Sequence, residues 1–164
     1  MKIIAHRGNI NGPSKLENTK ESIITAIKNG YYVEIDLWRS NNKMFLGHDL
    51  PKERVSESFL ENYEEYLLCH AKNFEAIHWL SDNKFDCFYQ YKETLTMSSR
   101  GLLLVSPILF IKNHIYHSPL LKEHSKCILM CPENIPDFTI GDLKFAGVCT
   151  DYPAKWSNLE KELI

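Results

Sequence analysis

Apolar runs a few residues long alternate with polar, helix-compatible stretches along this chain. KIIA (2–5) comes first, then KESIITAIKNG with apolar positions at helical spacing and Gly30 at its end, then the extended run YYVEIDLW. That succession predicts a βαβ unit. Further extended runs follow at YLLCHAK (66–72), FDCFYQ (85–90), GLLLVS (101–106), NHIYH (113–117), CILMC (127–131) and FAGVCT (145–150), which makes eight expected strands. Helical patterns fall at 19–29, 56–65, 74–82 and 153–163, and are short or missing between Leu102 and Lys144. Repeated βα units predict a parallel sheet with helices outside. Eight of them predict an α/β fold, a compact (β/α)8 TIM-type barrel with trimmed helices in its C-terminal half, although such barrels usually run to about 250 residues. No linker or low-complexity stretch divides the chain, so residues 1–164 are expected to form one domain.

The polar residues that interrupt this pattern gather at expected strand ends. A parallel strand is buried on both faces, so ionisable side chains are tolerated mainly where it emerges. His6 and Arg7 stand at the end of the first strand. In VEID, Glu34 and Asp36 are two apart and point the same way, opposite to Val33, Ile35 and Leu37. Two carboxylates held so close repel and lose hydration, so a cation, a shared proton or ion pairs must compensate; a hard divalent metal is the most economical. His70 and Lys72 repeat the device on the next strand, and His48 closes MFLGHD after the NNK turn. The two histidines His6 and His48 offer an acid and a base.

Composition narrows the field. With 44% hydrophobic and 24% charged residues and a formal net charge of -2, a chain of 164 residues can build a core but has no basic field to gather nucleic acid. The N-terminus reaches His6 and Arg7 after three apolar residues, and nowhere do eighteen apolar residues run together, so neither a signal peptide nor a transmembrane segment is expected, and the expected location is cytoplasmic. Five cysteines, odd in number and without C-x-x-C spacing, are expected to be reduced core residues.

HRG at 6–8, ENT at 17–19, SIITAIKNG at 22–30, EID at 34–36 and HD at 48–49 together resemble the glycerophosphodiester phosphodiesterases, a branch of the phosphatidylinositol phospholipase C-like superfamily. GVCTDYP at 147–153 is similar to the ending of that family's last strand. The resemblance implies a barrel in which His6 and His48 are general acid and base, Arg7 grips phosphate, and Glu34 and Asp36 hold Mg2+ or Ca2+. It also implies a small glycerophosphodiester-like or other polyol phosphodiester as substrate. One position departs: where the family's third strand presents Glu-x-Lys, this chain has His70-Ala71-Lys72. Lys72 keeps a phosphate-binding role, but imidazole in place of a carboxylate removes a negative charge and softens the site, which lets in Mn2+ or Zn2+ through His70. The alternative is a catalytically weakened anion-binding module.

Each candidate also has a structural reading. Glu34 and Asp36 could pair with Arg7, Lys72 or Arg39 without metal, and His70 could be a satisfied buried histidine. Asn18 could cap the helix near Thr19, with Glu21 completing a capping-box-like pattern, which leaves Glu17 as a brace for Arg7. Gln90 is read as lining the substrate pocket. Glu133 and Asp151 follow the last two expected strands, His78 lies on a helical stretch, and His114, His117 and His124 fall in a poorly patterned region.

Overall fold

The long second strand organises the molecule. In the computed structural model, which describes residues 1–110, 124–136 and 144–162, β2 (Tyr32–Ser40) follows β1 (Lys2–His6) and α1 (Lys20–Lys28). The N-terminal half of β2 lies parallel between β1 and β5 (Leu67–Ala71); its far end pairs antiparallel with β3 (Lys43–Leu46), which pairs in turn with β4 (Glu53–Val55). After α2 (Glu57–Asn62) and β5 come α3 (Phe74–Asp82), β6 (Cys87–Phe88), β7 (Leu95–Met97) and β8 (Leu103–Val105). Then follow β9 (Cys127–Met130), β10 (Gly147–Thr150) and α4 (Pro153–Glu162).

These ten strands form one mixed sheet. Seven run parallel, in the order β8-β9-β10-β1-β2-β5-β6; β7 on one edge and the β3-β4 ribbon on β2 are antiparallel.

The expected (β/α)8 barrel is wrong: the described chain is a curled half-barrel with four short helices. Two physical features account for this. Strand β6 is only two residues long, and its backbone is met by Ser99, whose N–H donates to Cys87 C=O (2.7 Å) while its Oγ accepts from Cys87 N–H (3.0 Å). A hydrogen-bonding turn therefore occupies the edge where a ladder would have to close. The second feature is the antiparallel β7-β8 pair, which takes the place of a helical crossover between β6 and β8. Three short strands, β3, β4 and β7, were not expected as strands, while the run at 113–117 lies outside the described residues, as do His114 and His117.

The four expected helices are present within a few residues of their expected ends. No helix among the described residues is long and apolar enough to cross a membrane.

Side chains alternate across the sheet. On one face Val33, Ile35 and Leu37 pack with Ile23 and Ala26 of α1 and Ala76 and Leu80 of α3. Ile4, Leu68, Phe88, Leu104, Ile128 and Cys149 form a second apolar layer on the concave face. Two residues further along their strands, past this layer, stand His6, His70 and Asp151. The polar cluster is thus seated on an apolar floor.

Candidate functional site

Strand register assembles the cluster. His6 is paired with Glu34 across β1-β2, and Asp36 with His70 across β2-β5, so four ionisable side chains from three neighbouring strands share one end of the concave face. Beyond β1 the chain turns through two left-handed residues, Arg7 (φ 53°) and Gly8 (φ 76°). The turn aims the Arg7 backbone N–H at Glu34 Oε2 (3.2 Å) and returns its guanidinium over the carboxylates, with Nε 3.3 Å from Asp36 Oδ2. Its NH1 donates to Glu17 Oε1 (3.2 Å), so Glu17 braces Arg7.

Asp36 is the most heavily engaged group. It is buried, with Oδ1 3.0 Å from His70 Nδ1 and 3.2 Å from Lys72 Nζ. Neither approach has hydrogen-bond geometry, and Oδ1 is left without a hydrogen bond. Burial alone would raise the Asp36 pKa, but His70, Lys72 and Asn18 hold it well below the usual carboxylate range. Glu34 goes the other way: burial, and then the neighbouring Asp36 charge, push its pKa up. Two like-charged carboxylates on one face are therefore resolved unequally.

Glu34, Asp36 and His70 each offer one ligand atom, and these atoms all lie within 4.8 Å of one another. Two carboxylate oxygens and an imidazole nitrogen are a donor set for a divalent cation of hard to borderline character. Asp36 Oδ1, buried and held by ion-pair contacts in place of hydrogen bonds, is the atom such an ion would engage. The pairing of Asp36 with Arg7 and Lys72 is also realised, whereas Arg39 turns away to Glu57 (3.8 Å).

His6 is held from both sides. Its Nδ1 lies 2.9 Å from Asp151 Oδ1 and its Nε2 3.9 Å from Glu34 Oε2. Burial disfavours the charged ring, yet Asp151, Cys131 and Glu34 outweigh it and push the pKa up to about 11. Asp151 also accepts from Asn9 Nδ2 (2.9 Å), and its backbone N–H donates to Glu133 Oε1 (2.6 Å).

The remaining candidates divide. Lys72 belongs to the cluster, as above. His48 does not touch it: its ring is 38% exposed, Nδ1 meets Asp49 Oδ1 at 2.7 Å, and among the described residues no hydrogen bond or ion pair joins it to the others. It remains at the same end of the sheet, because Gly47 N–H donates to Asp36 C=O (3.1 Å). Gln90 offers the cluster its backbone, with C=O 3.3 Å from His70 Nε2, while its side chain donates to Glu93 C=O.

Asn18 is not the helix cap. Thr19 caps α1 in a capping box with Ser22, and Asn18 grips Asp36 instead. Asn9, which donates to the Asp151 that holds His6, also escaped sequence reasoning, since nothing local in NINGP says that it meets a residue 142 positions away. His78 is exposed on α3. All five cysteines are free, four of them buried and Cys131 half-buried.

Comparison with known proteins finds no matching family model, no matching curated protein and no matching solved structure.

Proposed function

We propose that this chain is a metal-assisted phosphodiester hydrolase acting on a glycerophosphodiester-like or other polyol phosphodiester. One observation carries the reading: three potential metal ligands converge beside two cations, Arg7 and Lys72, around a buried carboxylate oxygen with no hydrogen bond. Glu34, Asp36 and His70 would hold the ion, Mg2+ or Ca2+ by the carboxylates and Mn2+ or Zn2+ if the imidazole dominates. When bound, a divalent cation supplies positive charge to the phosphoryl oxygens.

The chain's own groups do the rest. Arg7 presents a guanidinium, which matches phosphate oxygens in pairs, and Lys72 adds a point charge. His6, kept protonated by Asp151 on Nδ1, holds at Nε2 a proton that it can give to the leaving oxygen. His48, on the exposed loop after β3, is the base that takes a proton from water or a substrate hydroxyl. The HRG, EID and HD motifs support the same assignment. Five free thiols fit a reducing, cytoplasmic setting.

Calorimetric titration and turnover of a phosphodiester panel test the proposal together. We expect one divalent site, lost in Glu34→Gln with Asp36→Asn, and metal-dependent turnover lost in His6→Ala. Undiminished metal binding by the double variant would sink the ligand assignment. A second reading is a phosphodiester-binding module without turnover. It is favoured by the two cations that already stand against Asp36, since Arg7 and Lys72 compensate its charge without metal. Phosphodiester binding without metal uptake or turnover would select it.

A further inference from the structure

The concave side of the sheet has a second end. Lys2 and Ile4 precede His6 on β1, Tyr32 precedes Glu34 on β2, and Leu68 precedes His70 on β5, each by an even number of residues. Alternation therefore turns them to the face that carries the ionisable cluster, at the opposite end of the strands. With Glu65 and Tyr66 from the turn before β5, Asp86 before β6, Arg100 before β8 and Ile128 of β9, they line a cavity of about 340 Å3, counting the solvent at its mouth. Its floor is apolar, formed by Ile4, Leu68 and Ile128. A closed small barrel fills such an end with side chains, and the open sheet leaves it unfilled.

The charges on its walls are not all matched. Asp86 is 9% exposed, and its Oδ1 has no hydrogen bond among the described residues. A buried carboxylate oxygen without a donor is costly, so an acceptor stands unmet at this place. Arg100 does not meet it, because its guanidinium donates to Glu64 Oε1 and to Lys84 C=O (3.1 Å). The Lys2 ammonium stands instead over the Tyr32 ring, 4.5 Å from its centroid, and the Tyr66 ring lies 6.2 Å from that of Tyr32. With Arg100 balanced by Glu64, the lining sets two carboxylates, Asp86 and Glu65, against the one ammonium of Lys2. The cavity is thus short of a cation that donates hydrogen bonds.

We propose that this cavity is a second binding site, for a small primary alkylammonium whose head group donates to Asp86 and whose carbon chain lies on Ile4, Leu68 and Ile128. An ammonium brings both the N–H donors and the positive charge that Asp86 and Glu65 lack. Tyrosine faces attract a cation, as Lys2 already does on Tyr32. The apolar floor favours a ligand with methylenes over a bare inorganic cation. The site is separate from the proposed phosphodiester site and does not depend on it.

Calorimetry on the full chain with n-butylammonium, n-butanol and butyrate reads the site. Butylammonium is expected to bind about tenfold more tightly than either of the others. Lys2→Met, which removes a like charge, should tighten butylammonium binding severalfold, and Glu65→Gln should weaken it; both positions are exposed, so neither change endangers the fold. Asp86→Asn should abolish the preference over butanol, with a melting curve to show that the variant is folded. Butyrate binding that is lost in Lys2→Met would make this an anion site and overturn the proposal. Equal affinity for butylammonium and butanol in the parent would also overturn it, leaving Asp86 to water, as would butylammonium binding that neither Lys2→Met nor Glu65→Gln alters.

Discussion

Asn18, with φ 55°, closes both amide atoms on one residue: its Nδ2 donates to Asp36 Oδ2 (2.8 Å) and its Oδ1 accepts from Asp36 N–H (2.9 Å). Both partners are buried, so truncation leaves a donor and an acceptor unsatisfied. Asn18→Ala should therefore cost about 1–3 kcal/mol in denaturant unfolding. His70 invites the opposite experiment. A carboxylate there would lose the hydrogen bond to Gln90 C=O and crowd Asp36, but would add charge for a hard cation. His70→Glu is expected to melt lower without metal and to gain more from Mg2+ or Ca2+ than the parent does. A variant that no cation rescues would place residue 70 outside the ion's ligands. For His6 the sign of the pH dependence follows from its raised pKa. The stability it contributes is fully present below about pH 6.5, the value of the unfolded chain, and is lost as pH rises toward about 11. The stability difference between parent and His6→Gln should shrink over that interval.

At the scale of elements, strand ends and helix positions were readable because they depend on neighbours in the chain, although the α1 cap was expected one residue early, at Asn18 instead of Thr19. KESIITAIKNG carries its own apolar stripe and its own stop, and the ionisable residues two apart in EID and HAK needed only strand periodicity to be put on one face. The short strands β3, β4 and β7 were not readable, since three or four residues pair there only because a partner strand is presented to them. The turn between β1 and α1 joins the two kinds of information. A Cβ on Gly8 would lie 2.7 Å from Ser22 Oγ and 3.0 Å from the Ser22 backbone, besides requiring φ 76°. Ser22 is the partner of Thr19 in the α1 cap, so Gly8→Ala should strain the turn that aims Arg7 and loosen the cap as well. We expect it to cost more than Thr19→Ala, which removes the cap and the hydroxyl's bond to Leu16 C=O at about 1 kcal/mol. Equal denaturant midpoints for the two variants would show that the turn yields without strain.

Across the whole molecule, the site was more legible than the fold. Alternation located an end of the sheet where charge could collect, but closure depends on whether edge strands meet, and that is decided by contacts far apart in sequence such as Ser99 with Cys87. The resulting open sheet still concentrates buried charge, and this has a consequence for stability. Because burial and the Asp36 charge raise the Glu34 pKa, folding favours its protonated form. The stability linked to that proton is fully present below the ordinary glutamate pKa and is lost as pH rises through the folded value. Without metal, then, the fold weakens as pH rises through Glu34, and Glu34→Gln, which keeps an acceptor for the Arg7 N–H, should lose less stability than the parent as pH is raised. Adding a divalent cation should offset the parent's loss. A ligand at a hundredfold excess over its Kd stabilises by about 2.7 kcal/mol, and the parent should gain this while Glu34→Gln, one carboxylate short, gains less. As pH is raised to 8 without Mg2+, the parent's melting temperature should therefore fall further than that of Glu34→Gln, and Mg2+ at pH 8 should raise the parent's more. Should Glu34→Gln lose as much stability with pH as the parent, with the same gain from metal, Glu34 would be a structural carboxylate and the ion site would have to be sought without it.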